Sequence, residues 1–87
     1  MENDNKNTLI EFIKQTVDKF GVERETRDGK HVNELLCASG DNYTVLCYEG
    51  EYFVRDYGGF YKHLKCGSFS ESELEGIVSN LDALYYK

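Results

Sequence analysis

Tyr43-Thr44-Val45-Leu46-Cys47-Tyr48, Glu49-Gly50, Glu51-Tyr52-Phe53-Val54-Arg55-Asp56 is the stretch that decides the fold. Two runs rich in β-branched and aromatic residues flank a two-residue turn, the pattern of a β-hairpin. If Glu49 and Gly50 are the loop, Tyr48 stands opposite Glu51 and the rest of the register follows. One face then carries Tyr43, Val45, Cys47, Tyr52, Val54 and Asp56. The other carries Thr44, Leu46, Tyr48, Phe53, Arg55 and Tyr57. Neither face is plainly polar, so either both are covered or one shows aromatic surface to a partner.

Upstream, Val22 to Arg27 runs into Asp28-Gly29, a strong hairpin signal in which both central positions favour positive φ. The first of these strands is polar, and its alternating charges suit a sheet edge. The return strand is expected over about 31–38, with a turn at Ser39-Gly40-Asp41-Asn42. Downstream, Gly58-Gly59 breaks the chain, and Phe60 to Cys66 reads as a fifth short strand or an ordered loop.

Helices are expected at both ends. Leu9, Ile10, Ile13, Val17 and Phe20 recur at helical spacing behind a capping-box pattern, Thr8 with Glu11, with Asn7 as a competing cap. Gly21 follows, able to end the helix in the left-handed conformation. This predicts a first helix over about 8–20, after a flexible tail at 1–7. A second capping box, Ser70 with Glu73, precedes the stripe Leu74, Ile77, Val78, Leu81, Leu84 and Tyr85, with Phe69 and Leu74 placed as a hydrophobic staple. A second helix over about 71–85 follows. The expected architecture is a single α+β domain over 8–87: an antiparallel meander of four or five strands between two terminal helices.

Length and charge narrow the function. Eighty-seven residues suffice for one domain with one covered sheet face. The formal net charge of -6 opposes non-specific binding to nucleic acid or anionic membrane. No apolar run approaches the ~18–20 residues of a membrane span, and the polar start lacks a signal-peptide core. The odd count of three cysteines, Cys37, Cys47 and Cys66, therefore suggests reduced thiols in a cytoplasm, although a Cys37–Cys47 bridge across a hairpin is conceivable. The abundance of Asn, Lys and Tyr, without Pro or Trp, is that of a low-GC bacterial or phage product.

Motifs for chemistry are sparse. His63-x-x-Cys66 offers half a zinc site, with Cys37, Cys47 and His31 as remote candidates, but structural zinc sites show two close pairs, so buried thiols and no metal are expected. No signature marks a Cys–His nucleophile or a phosphate loop, and Gly58-Gly59 lacks the following Lys-Ser/Thr. Neither an enzyme nor a cofactor is expected. Acids are instead segregated. Glu34, Asp41, Glu49 and Glu51 lie in 31–54 without a Lys or Arg, as do Glu71, Glu73, Glu75 and Asp82 in 67–86. Tyrosine gives large contact area at low entropic cost. Tyr48, Glu49, Glu51, Tyr52, Glu71, Glu73 and Glu75 are thus the candidate contacts for a protein with a basic surface. The run Arg55, Tyr57, Phe60, Tyr61, Lys62 and Lys65 is the alternative, a patch for a small ligand or single-stranded nucleic acid.

In length, acidity and element order, and in the hairpin from Asp41 to Asp56 and the acidic helix from Glu71, the chain resembles small phage anti-defence proteins, of which the anti-CRISPR inhibitors are one class. The likeness is one of type and carries over no individual residue. It implies a stoichiometric inhibitor that imitates nucleic acid and blocks the groove of a bacterial defence nuclease. Toxin-immunity proteins share the profile.

Overall fold

The computed structural model describes residues 2–35, 44–55 and 61–86. The central hairpin pairs β3 (Thr44–Tyr48) with β4 (Glu51–Arg55), and Tyr48 stands opposite Glu51 as the two-residue loop requires. Glu49 at φ 52° and Gly50 at φ 80° both take the left-handed region, as a primed turn demands. β2 (His31–Leu35) pairs with β3, β1 (Val22–Glu25) with β2, and β5 (Tyr61–His63) with β4. All pairs are antiparallel, and strand order follows chain order.

One face of this sheet is covered. Leu35, Val45 and Val54 form a row across β2, β3 and β4 and are almost fully buried. Against it lies α1 (Glu2–Phe20), whose Ile10, Ile13 and Val17 point inward, with α2 (Glu71–Tyr85) alongside, contributing Leu74, Ile77 and Leu81. Leu64 and Phe69 close the edge beyond β5. The result is the α-β-β-β-β-β-α layout of a two-layer α+β domain.

Capping decides where α2 begins. Ser70 Oγ accepts from the Glu73 amide at 3.1 Å, and the Ser70 amide donates to Glu73 Oε1 at 2.9 Å. That reciprocal pair satisfies two amides that a helix start leaves unpaired. The corresponding expectation at Thr8 is corrected. α1 starts at Glu2, and Thr8 lies inside it, where Thr8 Oγ1 donates to the Asp4 carbonyl one turn back at 3.0 Å. A threonine bonded in this way is a tolerated helix-interior residue, not a cap. The helix therefore takes in residues 2–7, which sequence placed in a tail, and Asp4 suits the positive end of its dipole.

Two turn expectations also change. Gly21 does not take positive φ. It donates its amide to the Val17 carbonyl at 2.8 Å, and a Cβ there would stand 2.5 Å from that same oxygen. Close approach, rather than handedness, calls for glycine. At Asp28-Gly29 only Gly29 has positive φ. The Thr26 amide donates to the Lys30 carbonyl and the Gly29 amide to the Thr26 carbonyl, so the loop is the three-residue kind that ends in a left-handed glycine. The fifth strand, left open against a loop, is Tyr61–His63. The expected turn at 39–42, the end of the return strand at 36–38, the break at Gly58-Gly59 and the Cys37 thiol lie outside the described residues.

Candidate functional site

Side chains alternate across each strand, so burying Val45 and Val54 sends Leu46 and Phe53 to the opposite side. Among the described residues no helix covers that side. Leu46 is 7% exposed, while Val32 and Phe53 are half-buried. With Tyr48 and Tyr61 they line a concavity of about 400 Å³ bounded by Arg24, Thr26 and Glu34. Val22 and Tyr61, 52% and 60% exposed, carry apolar surface out to the β1 and β5 edges.

The charges on this face are arranged in pairs. Arg24 Nε lies 3.1 Å from Glu34 Oε1. His63 Nε2 lies 2.7 Å from Glu51 Oε1, and the His63 ring packs edge-on against Phe53 at 5.0 Å. A carboxylate only accepts, so Nε2 carries a proton toward it, while Nδ1 is buried without a hydrogen-bond partner. At the turn end Lys30 Nζ stands 5.7 Å from the Tyr48 ring centre and 4.0 Å from Glu49 Oε1. The hydrogen bond to Tyr48, and then the charge of Glu49, raise the Lys30 ammonium above its ordinary range.

The second surface is the outside of α2. Because Leu74, Ile77 and Leu81 point inward, Glu71, Glu75 and Asp82 stand in solvent, and the helix carries no Lys or Arg. Glu73 is also exposed but serves the cap: the Ser70 amide first, and Lys62 more weakly, lower its carboxyl below the usual carboxylate range. Lys62 Nζ itself lies 4.6 Å from the Phe69 ring centre.

The predicted contact residues are thus divided. Tyr48 and Glu51 share the open face, and Glu49 is at its turn end. Tyr52 is on the covered side, its hydroxyl donating to Asp18 Oδ1 at 2.7 Å and its ring under Lys14, so it is not a neighbour of Tyr48 on one surface. Glu71, Glu73 and Glu75 belong to the helix layer. In the alternative patch, Arg55 and Tyr61 are cross-strand partners on the open face, Lys62 opposes Val54 and points the other way, and Lys65 follows β5. Tyr57 and Phe60 lie outside the described residues. Sequence reasoning did not single out Leu46, Phe53, Val32 or Arg24. The available signal was the central hairpin itself, apolar on both faces where two short helices can cover one.

Cys47, opposite Tyr52, and Cys66, after β5, are free, half-buried thiols that pack on the core. Among the described residues no three His, Cys, Asp or Glu side chains converge to hold a metal ion, so His31, His63 and the two cysteines form no such group. No described helix is long and apolar enough to cross a membrane. Fold and surfaces together define a small two-layer α+β domain with one open sheet face and one acid-only helix. No family model, curated protein or solved structure matches the chain.

Proposed function

We propose that this chain is a non-enzymatic inhibitor or adaptor that works by binding another protein through a basic surface on that partner. The observation that carries this reading is the outside of α2, where Glu71, Glu75 and Asp82 are exposed and no cation intervenes. Carboxylates offer arginine the same two-pronged acceptor geometry as phosphate. A row of them suits a groove built for nucleic acid, and a protein lodged there keeps nucleic acid out. Glu49 and Glu51 stand at the hairpin end of the sheet layer, and Glu51 and Tyr48 belong to the open face rather than to this acidic helix surface. The setting is the cytoplasm of a bacterial cell, and the basic partner is a defence nuclease. A toxin in an immunity pair would use the same chemistry.

The test starts from affinity capture in lysate of a nuclease-proficient bacterium and proceeds to binding kinetics with the captured protein. Reversing charge at Glu71 and Glu75 to Lys should slow association at least tenfold at low salt and flatten its salt dependence, because exposed charges steer encounter. An unchanged association rate and salt slope would reduce the acids to a solvated helix face. A second reading, a small-ligand or single-stranded nucleic-acid module, is favoured by Arg55 beside Tyr61 on the open face. Retained RNA or single-stranded DNA that is lost on Arg55→Glu with Lys65→Glu would replace the first reading by the second.

A further inference from the structure

We infer that the open sheet face is a self-association surface, on which a second copy of this chain packs to form a two-fold symmetric sandwich of sheets. The inference is independent of the role assigned to α2. Among the described residues the large hydrophobic side chains that remain exposed are Val22, Tyr61 and Tyr86, and two of these three lie on the open side, at its two edges. Between them run Leu46, Phe53 and Val32. Apolar side chains thus alternate with paired charges across the face, as they do on one side of a sheet that another sheet covers at about 10 Å.

Charge selects the occupant. The chain carries -6, and two copies repel through their helix layers, since α2 contributes acids alone. The open face differs: strand register places on it two arginines, Arg24 and Arg55, and two glutamates, Glu34 and Glu51. It is electrically balanced, and it offers both signs, as a surface that must complement itself requires. A basic partner gains little from a neutral face when α2 is available.

Register also gives the symmetry axis. Leu46 and Phe53 form the central row of the face, with Glu51 on one side of it along β4 and Arg55 on the other. A two-fold axis along that row stacks Phe53 and Leu46 on their own counterparts and sets Arg55 against the partner's Glu51, twice. Among the described residues Arg55 forms no ion pair, so this contact supplies its counter-charge, with Glu51 shared between the partner's Arg55 and its own His63, 2.7 Å away. Glu34, on the same row, is already neutralised by Arg24.

The area suffices for a modest dimer. Five strands of three to five residues, at about 4.8 Å between strands and about 3.3 Å per residue, project to roughly 350 Å² on each copy. Interdigitating side chains bury somewhat more than the projections of the two copies, which places the pair among weak, transient interfaces, below the ~1,200–2,000 Å² of standard ones. Reversible, concentration-dependent association is expected rather than a permanent dimer.

The experiment is sedimentation equilibrium of the whole chain over a wide concentration range, with circular dichroism confirming that each variant is folded. Wild type should shift from monomer to twice the monomer mass. Tyr61→Asp, at an exposed position, should weaken association at least tenfold, as should Arg55→Glu, which sets like charges across the axis. Combining Arg55→Glu with Glu51→Arg should restore association. A wild type that stays monomeric throughout overturns the inference, and so does a dimer indifferent to Tyr61→Asp and Arg55→Glu. Failure of the double exchange to restore association overturns the axis.

Discussion

Replacing Leu81 by Ala tests the two-layer core at the point where α2 meets α1. Leu81 is 0% exposed and belongs to the cluster that includes Ile13, Val17 and Ile77. Truncation removes three carbons. At about 0.8 kcal/mol per buried methylene, the transfer part is roughly 2 kcal/mol. Neighbours in the buried cluster relax only in part, and a residual cavity of a few tens of Å³ at ~24 cal/mol per Å³ adds ~1 kcal/mol. The expected cost is therefore about 3 kcal/mol, a large share of the stability of a domain this small. Leu84→Ala, at a half-buried position one turn on, is the control and should cost about half as much or less. The assay is urea unfolding followed by far-UV circular dichroism, with stability taken from the midpoint at constant slope. A loss below ~0.5 kcal/mol for Leu81→Ala, or equal losses at the two positions, would refute the assignment of the Leu74, Ile77 and Leu81 stripe to the core.

Ser70→Ala should cost about 1 kcal/mol in the same assay, because it removes one side of the capping box. The Glu73 carboxyl is held below its ordinary range, so its share is fully present above that range and is lost as pH falls through the depressed folded value; the wild-type advantage over Glu73→Gln should shrink on acidification. Glu49→Asn should stabilise by roughly 0.5 kcal/mol, since Asn tolerates the left-handed region that Glu49 occupies at φ 52°, and a loss instead would mean that the Lys30 contact dominates the turn. The Tyr52 phenol, bonded to Asp18 and then desolvated, is raised well above the ordinary tyrosine range. In a spectrophotometric titration one tyrosine should remain protonated after the exposed ones have ionised, and Asp18→Asn should bring it down. Its raised value means that the bond stabilises the fold below pH ~10 and ceases to do so as pH climbs through the folded value.

Legibility in the sequence followed the strength of local chemistry. The Glu49-Gly50 hairpin and the Ser70–Glu73 cap each combine a turn or cap requirement with a flanking apolar pattern, and both stand where sequence placed them. Thr8 with Glu11 matched the same capping pattern and failed. A capping-box sequence permits a helix start without requiring one, and nothing before Thr8 forbids helix. Gly21 is needed for close approach rather than for a left-handed conformation: the local backbone at the helix end brings the Val17 carbonyl, four residues back, against it, and spacing alone does not separate the two reasons. The candidate contacts were gathered by proximity in sequence, whereas strand alternation sends Tyr48 and Tyr52 to opposite sides. Which side of a hairpin the helices cover is settled by packing, and so the open face could be foreseen only as one of two alternatives.

Strand order that follows chain order, between helices that pair with each other, also bears on how the chain acquires this structure. Each strand meets its sequence neighbour, so the sheet grows by short loop closures of the kind that proceed fast. The joining of α1 to α2 is different. Thr16 Oγ1, which donates to the Phe12 carbonyl, accepts from the Tyr86 hydroxyl across a separation of 70 residues, and Phe20 stacks on Tyr85 nearby. Those contacts should form after the meander has brought the two ends together. Substitutions at the helix junction, Leu81→Ala among them, should therefore accelerate unfolding far more than they slow folding, while substitutions at the Glu49-Gly50 turn act on the folding rate. A chain emerging from the ribosome would hold a nearly complete sheet covered by α1 but not yet by α2, so its solubility during synthesis depends on how soon α2 follows.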